Sequence, residues 1–89
     1  MKKLNRLISV SATDIKNGVP LHPTRCIVAL ALGRAFPDSS VLAYAYENYG
    51  VAKIDAENYT MSAKVARKMN DFDDGLNVTP FKFRLRPKV

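Results

Sequence analysis

Apolar and polar positions alternate along this chain with three different periods. The run Cys26-Ile-Val-Ala-Leu-Ala-Leu-Gly-Arg-Ala-Phe36 is apolar on almost every side. Its length is ordinary for a helix and long for a buried strand. Thr24 is the expected N-cap, and Pro37 halts the helix directly after Phe36. A helix that is apolar all round belongs in a core or a membrane. A bilayer span takes about 20 apolar residues, and Arg25 and Arg34 bracket a shorter run than that. The pattern therefore predicts a central core helix.

The remaining segments arrange themselves around it. Arg6-Leu-Ile-Ser-Val10 predicts a short strand, with Ile8 and Val10 inward and Ser9 outward. Ser11-Ala-Thr-Asp14 has capping-box spacing, with Asp in the role of Glu. It opens a helix of little more than one turn, Thr13 to Asn17, that Gly18 ends and Ile15 anchors. Val41 to Glu47 alternates with period two: Val41, Ala43 and Ala45 face a helix, and Leu42, Tyr44 and Tyr46 face the other way. Asn48-Tyr49-Gly50 predicts a hairpin turn returning through Val51 to Ile54, and a further extended piece follows at Asn58 to Met61.

Ser62 caps a second long helix, Ala63 to Asp73, whose apolar stripe is Val65, Ala66, Met69 and Phe72. Gly75 ends it. Thr79-Pro-Phe-Lys-Phe-Arg-Leu-Arg86 is the clearest strand, with Phe81, Phe83 and Leu85 on one face and Lys82, Arg84 and Arg86 on the other. The expected fold is α+β: one small domain over residues 1–89, β-α-α-β-β-α-β, with a mostly antiparallel sheet and the helices on one face.

Charge narrows the classes of partner. Fourteen Lys and Arg against eight acids give a formal net charge of +6, a balance that favours anionic partners, nucleic acid first. One cysteine forms no internal disulfide, which fits a reducing cytosol. One cysteine and one histidine are too few for a self-contained zinc site. No cofactor motif is present. Met1-Lys-Lys leads into no continuous apolar stretch, so neither a secretory signal nor a membrane anchor is expected. A domain this small buries only ~60% of the surface its unfolded chain exposes, and homo-oligomerisation is an open expectation.

Four groups of residues are candidates for chemistry. Cys26 lies near a helix start, where amide dipoles lower a thiol pKa, and the base a nucleophile needs would be His22, the only histidine. No third group or oxyanion device accompanies them, and free cysteine is more often a small core residue. The same helix start is a candidate anion site, with Thr24, Arg25 and His22 around its first-turn amides. Its alternative is a hydrated helix end.

Asp71, Asp73 and Asp74 crowd the end of the second helix while Lys64, Arg67 and Lys68 lie toward its start, against the helix dipole. Asp73 is expected to bond the turn through Gly75 or to pair with a basic residue of the last strand. A calcium loop is ruled out, because Lys82 stands where the twelfth-position ligand is needed.

The last strand carries the fourth group. Lys82, Arg84, Arg86 and then Lys88 form a stripe at ~6.8 Å intervals, near the phosphate repeat of an extended single strand. With Tyr44 and Tyr46 on the same sheet face, aromatic stacking joins the charge. The alternative is a solvated outer face with the tyrosines beneath Lys and Arg stems.

Asn17-Gly18, Cys26, Ala29, Ala31 and Phe72-Asp73-x-Gly75-x-x-Val78-x-Pro80-Phe81-x-Phe83-x-Leu85 together resemble a group of short, uncharacterised proteins of phages and environmental bacteria. Ile27 stands where that group has proline. The resemblance implies a phage or mobile-element setting and carries no established activity and no catalytic residues. The expected function is thus a non-enzymatic, phage-type accessory protein of the host cytoplasm. It binds nucleic acid, single-stranded by preference, in transcription regulation or replication. The alternative expectation is a protein-interaction module that inhibits a host enzyme or defence complex.

Overall fold

The computed structural model describes residues 6–87. The chain runs β1 (Arg6–Val10), α1 (Ala12–Asn17), α2 (Ile27–Ala35), β2 (Val41–Ala45), β3 (Gly50–Ile54), β4 (Glu57–Met61), α3 (Ala63–Asp73) and β5 (Phe81–Pro87). The five strands form one antiparallel sheet in the order β1-β5-β4-β3-β2. The α+β expectation holds, with one strand more than β-α-α-β-β-α-β allowed.

That additional strand is β4, which occupies the extended piece expected at Asn58 to Met61 and begins one residue earlier. It follows a two-residue turn, Asp55-Ala56, because Ile54 pairs with Glu57. Asp55 takes a left-handed φ of 55°, a conformation that Asp tolerates better than most residues. Its backbone N–H donates to the Ser40 carbonyl at 2.8 Å, and its carboxylate accepts the Ser40 N–H at 3.0 Å. Tertiary bonds thus fix a turn that has no glycine to advertise it. β2 stops at Ala45, two residues before the expected Glu47, and a hairpin bond from Tyr46 N–H to the Tyr49 carbonyl closes the loop.

Register sorts the side chains onto two faces. Ala43, Ala52, Tyr59 and Pro87 lie in one cross-strand row, and Phe83 with Ile8 and Phe81 with Val10 continue that face. Against it pack Ile27, Val28, Leu32, Val65 and Met69 of α2 and α3, all fully or nearly fully buried. Shielding these side chains is the main stabilisation, roughly 1.5–3 kcal/mol for each large one. The opposite face carries Tyr44, Val51, Thr60 and Arg86 in one row, then Arg84 and Lys82 along β5.

α1 has the expected capping box: Asp14 N–H donates to Ser11 Oγ at 3.2 Å, and Ser11 N–H donates to Asp14 Oδ2 at 2.9 Å. The same carboxylate accepts two bonds from the Arg34 guanidinium of α2, at 2.6 and 2.8 Å. Burial pushes the Asp14 carboxyl up, but the bonds from Arg34 and Ser11 outweigh it and hold the group below its ordinary value.

α2 departs from expectation at its start. Cys26, not Thr24, is the N-cap, and its Sγ accepts the Ala29 N–H at 3.4 Å. The reason lies just upstream: the His22 carbonyl accepts both the Arg25 and Cys26 N–H groups. Those bonds close a separate turn that holds Thr24 outside the helix.

A basic cleft beside the last strand

β5 enters the sheet between its two halves. It pairs with β1 along Phe81–Leu85, whereas its ladder with β4 reaches only Tyr59↔Pro87 and Thr60↔Arg86. Beyond that point the chain leaves β4, turns at the Ser62 cap and climbs away as α3. Helix and strand diverge from a common corner. Between them lies an open cleft of about 360 Å3, lined by Ser62, Lys64, Val65 and Lys68 on one wall. The other wall is the strand itself, Phe81 to Arg84 and Arg86.

Five cations therefore border one cleft, and among the described residues no acidic side chain lines it. Lys82, Arg84 and Arg86 were legible as a stripe from strand alternation. Lys64 and Lys68 were not; they join because one helical turn puts positions i and i+4 on the same face. Their i, i+4 spacing was the only signal available. Lys68 places its ammonium 5.3 Å from the Phe81 ring centroid, within cation–π range. The Phe81 and Phe83 rings lie 6.1 Å apart and give the cleft an apolar floor. Lys88, the last member of the expected stripe, lies outside the described residues.

The tyrosines are where the alternation put them in one case and beyond it in the other. Tyr44 shares the outer face with Arg86, three strands away through Val51 and Thr60, a separation of ~14 Å at the usual strand spacing. Tyr46 lies past the end of β2, yet its ring is 5.5 Å from Tyr44 and 4.9 Å from Tyr49. Tyr49 was not among the expected site residues. All three remain between 38% and 47% exposed. Side-chain hydrogen bonding with Tyr44 pushes the Tyr46 phenol above its ordinary value.

The other candidates are arranged differently from expectation. His22, Thr24 and Arg25 sit exposed in the turn before α2, with Thr24 Oγ1 3.2 Å from His22 Nδ1. The first turn of α2 is buried, with Ile27 and Val28 wholly inaccessible, and its amide at Ala29 is taken by Cys26. The three residues thus do not surround free helix amides. Cys26 does line a cavity of about 220 Å3 with His22 and Asp73. Burial pushes its thiol up, the reverse of the shift that activates a nucleophile. Its Sγ–H points at the Ala43 carbonyl, 3.8 Å away.

Asp73 bonds neither the Gly75 turn nor the last strand. Its Oδ1 accepts the Leu21 N–H at 2.9 Å, pinning a residue in the left-handed region at φ 61°. The two elements are 52 residues apart in sequence, which is why no local pattern announced the bond. Among the described residues no helix is long and apolar enough to cross a membrane. Comparison with family models, curated proteins and solved structures finds no match for this chain.

Proposed function

We propose that this protein binds nucleic acid, single-stranded by preference, with phosphates along the basic cleft and bases on the tyrosine cluster. The observation that carries the reading is the gathering of Lys64, Lys68, Lys82, Arg84 and Arg86 around one cleft without an acid. Such a site attracts a polyanion by charge, whatever its sequence. The strand sets successive cations ~6.8 Å apart, the pitch of an extended single strand.

From Arg86 the outer face leads through Thr60 to Tyr44. Tyr46 and Tyr49 then present exposed rings, and stacking on them requires an unpaired base. The role that follows is that of a small accessory protein acting on single-stranded intermediates in transcription or replication, in the phage-type setting its resemblance implies.

Fluorescence anisotropy with labelled single- and double-stranded oligonucleotides tests this. Micromolar or tighter binding is expected for the single strand at about 50 mM salt, weakening steeply by about 200 mM. Tyr44→Ala is expected to lose ~1–3 kcal/mol for a single strand and little for a duplex. No binding of either oligonucleotide at low salt refutes the reading.

A further inference from the structure

The wall of the cleft formed by β5 is an open strand edge. In an antiparallel ladder the N–H and C=O of one residue point to the same side, and successive residues alternate. The Ser9 carbonyl accepts from Arg34 at 2.9 Å, and Ser11 bonds Asp14 and Ile15. Both therefore direct their backbone away from β5. Ser9 and Leu7 pair with Lys82 and Arg84, so these are the non-hydrogen-bonded pairs of the β1–β5 ladder. The backbone groups of Lys82 and Arg84 then point to the other side, into the cleft. Pro87 supports the same parity: it has no N–H to give β4, whereas Arg86, one residue earlier, has both groups. Because the β4 ladder ends at Thr60↔Arg86, no strand among the described residues stands opposite Lys82 and Arg84.

Phosphates held by the side-chain cations leave this backbone edge unpaired, because they supply acceptors only and the Lys82 and Arg84 carbonyls need donors. An extended peptide supplies donors and acceptors in alternation, which is what a strand edge pairs with. The side chains on the two faces of β5 define the rest of the ligand. A strand added here would place alternate residues beside Lys82 and Arg84 on the outer face, because Arg86 already faces Thr60. The residues between them would meet Val65, Phe81 and Phe83. Acid opposite cation is the favourable cross-strand pair.

We infer that the cleft also binds an extended peptide of alternating acidic and apolar residues, added as a strand to the Lys82–Arg84 edge and exclusive with nucleic acid. The two ligands share Lys82 and Arg84, so an acidic strand would displace an oligonucleotide. This gives the site a means of control by a protein partner that carries such a segment.

The test uses a labelled peptide of four Glu-Val repeats and the full chain. Its first control keeps the same residues but methylates alternate backbone nitrogens, which retains charge and removes edge bonding. A second control groups the four Glu and four Val in blocks. The parent peptide is expected to bind about tenfold or more tightly than either control. It should also slow amide hydrogen exchange at Lys82 and Arg84, which strand pairing alone explains.

Equal binding of parent and N-methylated peptides, or none at about 50 mM salt, overturns the inference. If the oligonucleotide binds and the peptide does not, the nucleic-acid reading stands and strand addition fails. If the peptide binds with N-methyl sensitivity and the oligonucleotide does not, strand addition stands and the nucleic-acid reading fails.

Discussion

Replacing Lys64 and Lys68 by Gln separates a cleft from a stripe. Both readings include Lys82, Arg84 and Arg86, but only the cleft brings α3 into the site. For a single strand, the logarithm of affinity falls against the logarithm of salt with a slope of ~0.7 per neutralised phosphate. Five cations engaged give a slope of ~3.5, and the K64Q/K68Q variant ~2.1. Between about 50 and 200 mM salt the wild-type chain then loses roughly 100-fold in affinity and the variant roughly 20-fold. Anisotropy titrations at four or more salt concentrations read the slope directly.

The control removes the same charge elsewhere. Lys16→Gln with Arg25→Gln alters two exposed positions, one on α1 and one in the turn before α2, and leaves the cleft lining intact. Its slope is expected to stay near that of the wild type. Should the control lower the slope as much as K64Q/K68Q, binding answers to net charge alone and the cleft is not the site. An unchanged slope in K64Q/K68Q would restrict the contact to the strand stripe.

Three further outcomes test the framework that holds the cleft. Asp14→Asn keeps an acceptor for the α1 cap but removes the charge bonded to Arg34. The carboxylate is 5% exposed and its partner 53%, so the cost is expected between ~1 and ~3 kcal/mol in chemical denaturation, below that of a fully buried pair. Because the folded state holds the Asp14 carboxyl below its unfolded value, its contribution is complete above about pH 4–5 and disappears as pH falls through the folded pKa. The variant should therefore show a shallower acid limb, and identical limbs would contradict the assignment. Gly18→Ala would bring its Cβ within 2.6 Å of Ile27 Cγ2 and 3.1 Å of the Asp14 carbonyl. Ile27 is fully buried, so a loss of ~1–3 kcal/mol is expected, and a neutral result would show that α1 can shift. Cys26 should resist thiol reagents in the native state and react on unfolding, since burial raises its pKa; fast native labelling would place the thiol at the surface.

The parts of this fold that were legible are those decided locally. The alternation of Phe81, Phe83 and Leu85 against Lys82, Arg84 and Arg86 has one buried solution, because a one-residue slip would exchange the faces. The Ser11–Asp14 box and the Ser62 cap act over three residues, so spacing alone reveals them. What was missed depends on distant partners. The extended piece at Asn58 to Met61 is present as β4, but its place as a fifth sheet strand was not read, because it turns on Asp55 held by Ser40. Cys26 caps α2 because His22 spends its carbonyl on a preceding turn. Neither fact is written within the segment it concerns.

The cleft itself follows from one topological choice. Strand β5 slots between β1 and β4, yet its ladder with β4 ends after two pairs because the chain there turns into α3. Had the helix begun four residues later, the continuing strand would have covered the Lys82–Arg84 edge. Its early start instead sets Lys64 and Lys68 across from three strand cations. Lys64 sits in the first turn of α3, at the positive end of the helix dipole, an arrangement unfavourable by roughly 0.3–1 kcal/mol. The carboxylates at the far end have a partner in the Leu21 amide through Asp73, whereas the lysines border further like charge. Repulsion left in the unliganded chain is relieved when an anion enters, so the fold is expected to gain stability on binding by mass action and by neutralisation together. The lysine-bearing start of α3 and the open edge of β5 face the same space, and among the described residues no acidic side chain lines it.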